Sequence, residues 1–360
     1  VADAKRLCPD IALILADHAK YVQVHQQAVA VVDRMAPVRQ VVSIDEMECE
    51  LTGRWRERER AIRLAQQLKS ALLVEIGECM RTSVGIAPNT LLAKLASDMH
   101  KPDGLTVLEQ HDIPARLLHL PVSSITGIGP RMVRRLTTCG ISTMQQLYAA
   151  PRDVLVTVWG GVAGADMYER LRGQWYGPRQ STPQSLGHSH VLPPDMRYPA
   201  GALAVLHRLV QKAAMRLRQQ GFYAGSMSVQ VRCGHRYARE AGAERWVEVG
   251  ETQDTALLLR TLQTLWDSGL HRLQAPVSVG VQLHGLVPAS QHTPDLFDAA
   301  LSTPHHRTVP RDRSKLLATV DRLNRTHGKN TVMFASAHAG RDHAPMRIAF
   351  NRIPDLESER

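Results

Sequence analysis

Aromatic residues are scarce in this chain, at 4% of its 360 positions, which works against a single-strand reader built on stacking platforms. Cysteine is scarce too. Cys8, Cys49, Cys79, Cys139 and Cys233 are odd in number, scattered and never spaced as CxxC, so neither a zinc site nor a disulfide framework is encoded, and a reducing cytoplasm fits. No run approaches the ~20 apolar residues that a membrane helix needs. The first sixteen residues carry charge early and an apolar stretch only at 11–16, unlike a signal peptide. There is no internal repeat at a period of about 20–50 residues.

What the chain has in excess is positive charge. A formal net charge of +10, with Arg well above Lys, favours a polyanionic partner and bidentate phosphate contacts. At 360 residues the chain is too long for one small core, so two to four domains are expected. Residues 1–112 alternate like an α/β unit, with strands at 11–15, 41–51 and 83–87 and helices at 21–35, 58–76 and 89–99. Asn89 after Pro88 is the expected N-cap of the last of these. Residues 113–180 read as helical. Residues 185–290 read as an α+β domain with strands at 185–191, 225–231, 246–249 and 277–283 and helices at 201–219 and 255–267. A short amphipathic helix is expected at 314–325, and the end of the chain reads as loosely ordered.

Two segments carry chemistry. Ser43-Ile44-Asp45-Glu46 puts adjacent carboxylates on a β-run, so their side chains point to opposite faces and at least one is exposed. They are either solvated charges or ligands for a cation. In Ser83-Val84-Gly85-Ile86-Ala87-Pro88-Asn89, strand, turn and helix place backbone N–H groups where an anion can bind. At the far end of that helix Asp98 precedes Lys101 by three residues, and Lys101-Pro102-Asp103-Gly104 is a turn that fixes the lysine's direction. Lys101 is either the partner of Asp98 in a surface ion pair or a phosphate ligand.

Together, Ser43–Glu46 and the stretch from Ser83 to Gly104 closely resemble the Y-family translesion DNA polymerases, the DinB/UmuC class. Ala4-Lys5-Arg6-Leu7-Cys8-Pro9 is similar to the family's return from fingers to palm. The resemblance implies an α+β multidomain fold: fingers and palm over 1–112, a helical helix-hairpin-helix thumb over 113–182, an α+β little finger over 183–288, and a tail over 289–360. It implies that Asp45 and Glu46 are catalytic, metal-binding carboxylates of a site for two Mg²⁺ ions, with Lys101 and Asp98 on the incoming dNTP. Primer-template DNA is the implied partner, and the protein a cytoplasmic monomer.

In Ile125-Thr126-Gly127-Ile128-Gly129-Pro130, Gly127 and Gly129 let the backbone approach a DNA phosphate, and Arg131, Arg134 and Arg135 follow on the next helix. This looks like the family's hairpin. Arg232 at a strand end, with Arg236, Arg239, His188 and His190, is a candidate for phosphate contact or a solvated strand end. His292-Thr293-Pro294-Asp295-Leu296-Phe297 looks like a degenerate sliding-clamp peptide, its Leu296 and Phe297 either entering a clamp pocket or packing on their own domain.

The resemblance also implies a strand before residue 1 that bears a first metal-binding Asp and an aromatic gate, with the rest of the fingers after it. No substitute for it occurs in 1–42. On that ground the chain as given is expected to hold a truncated palm and fingers and to show little polymerase activity. A non-catalytic DNA- and clamp-binding accessory protein is the alternative, disfavoured because an adaptor has no physical need for Asp45, Glu46 and Lys101.

Overall fold

The computed structural model describes residues 1–174, 177, 182–234, 241–293, 313–328, 331–340 and 353. The chain divides into two compact units, Val1–Arg179 and Gln180–Arg347.

The first unit runs α1 (Ala2–Leu7), α2 (His18–Met35), β1 (Val38–Val41), β2 (Met47–Cys49), α3 (Arg58–Glu75), β3 (Val84–Ile86), α4 (Thr90–Met99) and β4 (Leu105–Val107), then α5 (Pro130–Thr138), α6 (Met144–Ala149), α7 (Arg152–Trp159) and α8 (Val162–Leu171). β1 and β2 pair antiparallel, whereas β3 and β4 pair parallel with α4 as the crossover that such a pair requires. The two ladders are separate: β2 and β3 each have one strand partner among the described residues. Residues 11–15, expected as a strand, form none. An apolar run pairs only where a ladder offers it an edge, and here Ile14 and Leu15 stand 92% and 95% exposed.

The apolar face of α3, expected from its period, packs against α2 through Leu72, Val31 and Val32. Helix α4 faces the other way. Its Leu91, Leu92, Leu95 and Ala96 join Leu136, Leu147, Leu155 and Leu171 of α5–α8 in one core. Gly85 makes that placement possible, because a Cβ there would collide with the Ala93 carbonyl.

The second unit contains β5 (Ser185–Val191), α9 (Pro199–Gln219), β6 (Phe222–Cys233), β7 (Ala241–Thr252), α10 (Thr255–Asp267), β8 (Pro276–Pro288) and α11 (Ser314–His327). Its strands form one antiparallel sheet in the order β5-β8-β6-β7. Met227, Val229 and Val231 of β6 face the core with α9 and α10, and Ser226, Ser228, Gln230 and Arg232 occupy the other face. The helix expected at 314–325 forms as α11. Arg218 of α9 grips Asp321 of α11 through two bonds of 2.7 and 2.8 Å, with both side chains about nine-tenths buried. A 3-10 turn, Ala335–Gly340, packs on α9 so closely that a Cβ on Gly340 would meet the Ala204 carbonyl at 2.5 Å. Among the described residues no helix is long and apolar enough to cross a membrane.

Candidate functional site

The carboxylates of Asp45 and Glu46 lie on a turn, not on a strand. Residues 43–45 bend between β1 and β2, and the Val42 and Ser43 amides both donate to the Glu46 carbonyl, at 2.9 and 3.1 Å. The bend is held from within and from below. The buried Ser43 hydroxyl donates to Asp45 Oδ1 at 2.6 Å, and the buried His25 of α2 donates from Nδ1 to the Ile44 carbonyl at 2.7 Å. Asp45 is therefore exposed at the tip with one oxygen tied, and Glu46 is half-buried beside it.

Glu46 reaches α4. Its Oε1 lies 2.7 Å from Lys94 Nζ, and the same nitrogen lies 3.0 Å from both oxygens of Asp98. Lys101 Nζ stands 2.7 Å from Asp98 Oδ1. The spacings i, i+4 and i, i+3 put Lys94, Asp98 and Lys101 on one side of the helix and its exit. Glu46, Lys94, Asp98 and Lys101 thus form a chain of alternating charge. Burial alone would raise the Asp98 pKa, but hydrogen bonds from Lys101 and Lys94 hold it below the usual carboxylate value. Burial alone would lower Lys94, and its bonds to Glu46 and Asp98 reverse that, so it is raised. Nearby Glu48 is raised by burial, which the Arg39 and Arg170 charges only partly offset.

The turn that bears Lys101 is fastened by Lys69 of α3. Its ammonium donates to the Thr82 carbonyl at 2.8 Å and to the Asp103 carbonyl, and it pairs with the Asp103 carboxylate at 2.8 Å. Asp103 has φ of 62°, in the left-handed region, so the turn depends on such fastening. His25, Lys69 and Lys94 were all missed in the sequence. Only Lys94 carried a signal there, its i, i+4 spacing to Asp98.

One expectation fails. The N-terminus of α4 is no open anion seat, because Asn89 closes it. The buried Asn89 Oδ1 accepts from the Leu92 amide at 3.0 Å, as an N-cap, while Nδ2 donates to the Arg170 and Gln174 carbonyls at 2.8 and 3.0 Å. Arg170 adds a bond to Thr90 Oγ1 at 3.2 Å.

In the helical segment, Thr126 and Gly127 are exposed between buried Ile125 and Ile128, and Gly129 is exposed after them, so this turn offers its backbone to solvent. Gly127 has φ of 93° and Gly129 is the N-cap of α5. The element before the hairpin is a 3-10 turn, Val122–Ser124. Arg131, Arg134 and Arg135 are all exposed. In the second unit Arg232 is exposed on the polar face of the sheet with Gln230. His188 and His190 are paired in register with the core residues Val281 and Val279, so they face the core side and not the polar face. Arg236, Arg239, Leu296 and Phe297 lie outside the described residues. His292, at the start of the expected clamp peptide, stacks on Tyr223 at 3.7 Å and bonds Glu251 at 2.6 Å.

The sequence profile of the impB/mucB/samB family matches residues 1–98, and that of its C-terminal domain matches 183–296. The chain is 32% identical over 308 residues to a DNA polymerase IV of Moorella thermoacetica, covering 82% of this chain and 74% of that one. It is 27% identical over 342 residues to a DNA polymerase IV of Pelotomaculum thermopropionicum, covering 93% and 80%. Among solved structures it is similar in fold to a Y-family DNA polymerase chimera, with a TM-score of 0.61 at 22% identity over 80% of this chain and 82% of that one.

Proposed function

The chain belongs to the impB/mucB/samB family as a DinB-like Y-family DNA polymerase, and from that premise we propose that Asp45, Glu46 and Lys101 are its nucleotidyl-transfer site. The reaction is DNA-directed DNA synthesis of the translesion kind. The observation that carries the site is the ion-pair chain that brings the carboxylate turn and the Lys101 turn together across α4.

The donor set suits Mg²⁺. Asp45 and Glu46 supply hard carboxylate oxygens at a solvent-open turn, and Mg²⁺ is held by one or two carboxylates plus phosphate oxygens. Among the described residues, the one group of three with ligand atoms within 4.8 Å of each other is Glu109, His111 and Asp112. Its carboxylates are engaged by Arg58 and Arg116. Two bound Mg²⁺ ions would supply charge neutralisation at the attacking and leaving oxygens. The rest falls to side chains of this chain. Asp45 and Glu46 fix where the cations sit, Ser43 and His25 hold the turn that carries them, and Lys101 binds the triphosphate of the dNTP. Asp98 orients Lys101 on the incoming dNTP.

Phosphates of the primer-template are met by the Gly127–Gly129 hairpin with Arg131, Arg134 and Arg135, and by Arg232 on the sheet. Leu296 and Phe297 are the anchors of a sliding-clamp contact, in support of which they lie on the Pro-containing segment His292-Thr293-Pro294-Asp295-Leu296-Phe297. The test of the site is primer extension on intact and abasic templates, by the protein and by the protein fused to the first palm strand of a DNA polymerase IV relative. Asp45→Asn and Glu46→Gln should lower kcat by roughly a hundredfold or more, and Lys101→Ala should mainly raise KM for dNTP. Synthesis that survives both carboxylate substitutions refutes the assignment.

A further inference from the structure

Lys94 is the residue of this region for which the proposed reaction supplies no role, and its placement asks for one. Its ammonium lies between two carboxylates, Glu46 of the turn at 2.7 Å and Asp98 of its own helix at 3.0 Å. Asp98 in turn lies between two ammonium groups, Lys94 at 3.0 Å and Lys101 at 2.7 Å. Two positive and two negative charges alternate along the chain, so each inner group divides its attraction between two neighbours. The side chains of Lys94, Glu46 and Asp98 are about a third exposed or less, while Lys101 is 56% exposed. The chain is therefore screened in its middle and open at the Lys101 end.

We propose that Lys94 and Asp98 couple the two ends of the site, so that occupation of Lys101 by a polyphosphate frees Glu46 to take a divalent cation, and the reverse. The inference rests on the assignment of Glu46 and Lys101 above. When Lys101 turns to a phosphate it leaves Asp98 with Lys94 as its one partner. Lys94 then shifts its share of attraction from Glu46 to Asp98, and Glu46 is released toward the solvent-open side where Asp45 stands. In the other direction, a cation on Glu46 repels the Lys94 ammonium bound at its Oε1 and weakens that pair. Lys94 then neutralises Asp98 alone, and Lys101 is free for phosphate. No bond is made or broken and no proton moves; partners are exchanged along a fixed row. Such coupling is reciprocal by necessity. It also explains why the resting site is not a bare acidic patch: with no ligand, Glu46 and Asp98 already have cations.

The experiment is binding, not turnover. The affinity of a fluorescent non-hydrolysable dNTP analogue is measured by anisotropy, on the full chain with a dideoxy-terminated primer-template, with saturating Mg²⁺ and with EDTA. Chelation of Mg²⁺ by the analogue itself contributes equally for every variant, so the ratio of the two affinities, compared between variants, isolates the protein's part. Wild type should show a ratio at least about fivefold larger than Lys94→Gln and Asp98→Asn, within the usual range of coupling between sites. Lys94→Arg, which keeps a bridging cation, should restore much of it. Asp98→Asn is isosteric and serves as the second variant if Lys94→Gln fails to fold, which circular dichroism reports. Equal ratios in wild type and the variants, with Lys101→Ala still weakening binding, overturn the coupling and leave the site assignment standing. Absence of analogue binding by wild type, or indifference to Lys101→Ala, overturns the site assignment and the coupling with it.

Discussion

Asn89 does two jobs with one side chain, and they can be separated by substitution. Its Oδ1 caps α4, and its Nδ2 holds the Arg170 carbonyl in the last turn of α8 and the Gln174 carbonyl just beyond it. Removing the cap costs about 1 kcal/mol. Each donated amide bond is worth about 1 kcal/mol net, more if the carbonyl is left dry. Asn89→Ala should therefore destabilise the first unit by about 3 kcal/mol. Asp is as good an N-cap as Asn, so Asn89→Asp keeps the first contribution. It loses both donated bonds, however, and sets a carboxylate against two carbonyl oxygens, so it should still cost about 2 kcal/mol or more. With a urea dependence of about 2 kcal/mol per molar, that is a midpoint shift of about 1 M. The assay is urea unfolding followed by tryptophan fluorescence, since Trp159 packs in the core that α4 shares with α5–α8. If Asn89→Asp unfolds at the wild-type urea concentration, the bridge to α8 carries no energy and the account of this junction is wrong.

Further outcomes follow from other parts of the structure. Replacing Arg131, Arg134 and Arg135 together by Ala should make DNA binding less salt-dependent, lowering the log–log slope by up to about 3, as anisotropy at several salt concentrations will read. Asp98 has a pKa lowered in the fold, so its contribution is complete above its unfolded value of 3.8 and is lost as pH falls through the lower folded value. The melting temperature of Asp98→Asn should thus fall less steeply than wild type below pH 3.8, and equal slopes would remove the two lysines as the cause. Burial pushes the Cys49 thiol up to about 11, whereas Cys8, Cys79 and Cys139 are exposed. Iodoacetamide at pH 8 should modify those three well before Cys49 and Cys233, as peptide mass spectrometry will order them.

The long periodic elements were legible because their stabilising contacts repeat at the spacing of the helix. The face of α3 and the Asn89 N-cap of α4 were readable for that reason, and α10 spans the expected residues 255–267. The carboxylate turn was not. Ser43-Ile44-Asp45 contains no Gly or Pro, and its bend is imposed by His25, eighteen residues before Ser43 on another element. Residues 11–15 misled for the opposite reason: their composition suits a strand, but composition does not supply a neighbouring edge. Lys69 and Lys94 have partners on other elements that no local spacing indicates: the fold shows one capturing the turn after α4 and the other the turn before β2.

Helix α4 explains why the region was recognisable in sequence yet only partly interpretable. At ten residues it is too short to be stable alone, so its stability comes from what it touches. Its apolar face contributes to the α5–α8 core, its first turn is bound to the end of α8, its middle holds Glu46, and its exit presents Lys101. Nearly every position is therefore constrained by a different neighbour, which gives a run from Ser83 to Gly104 that is specific as a pattern. The individual roles do not follow from the pattern, because Lys94 and Lys101 are the same residue type on the same helix flank. What separates them is burial: Lys94 has two carboxylates and little water, and Lys101 has one carboxylate and an open side. A cation in the first position is held between protein carboxylates; a cation in the second has a side open to a ligand. The assignment of Lys101 to the nucleotide and of Lys94 to the carboxylates rests on that difference in surroundings.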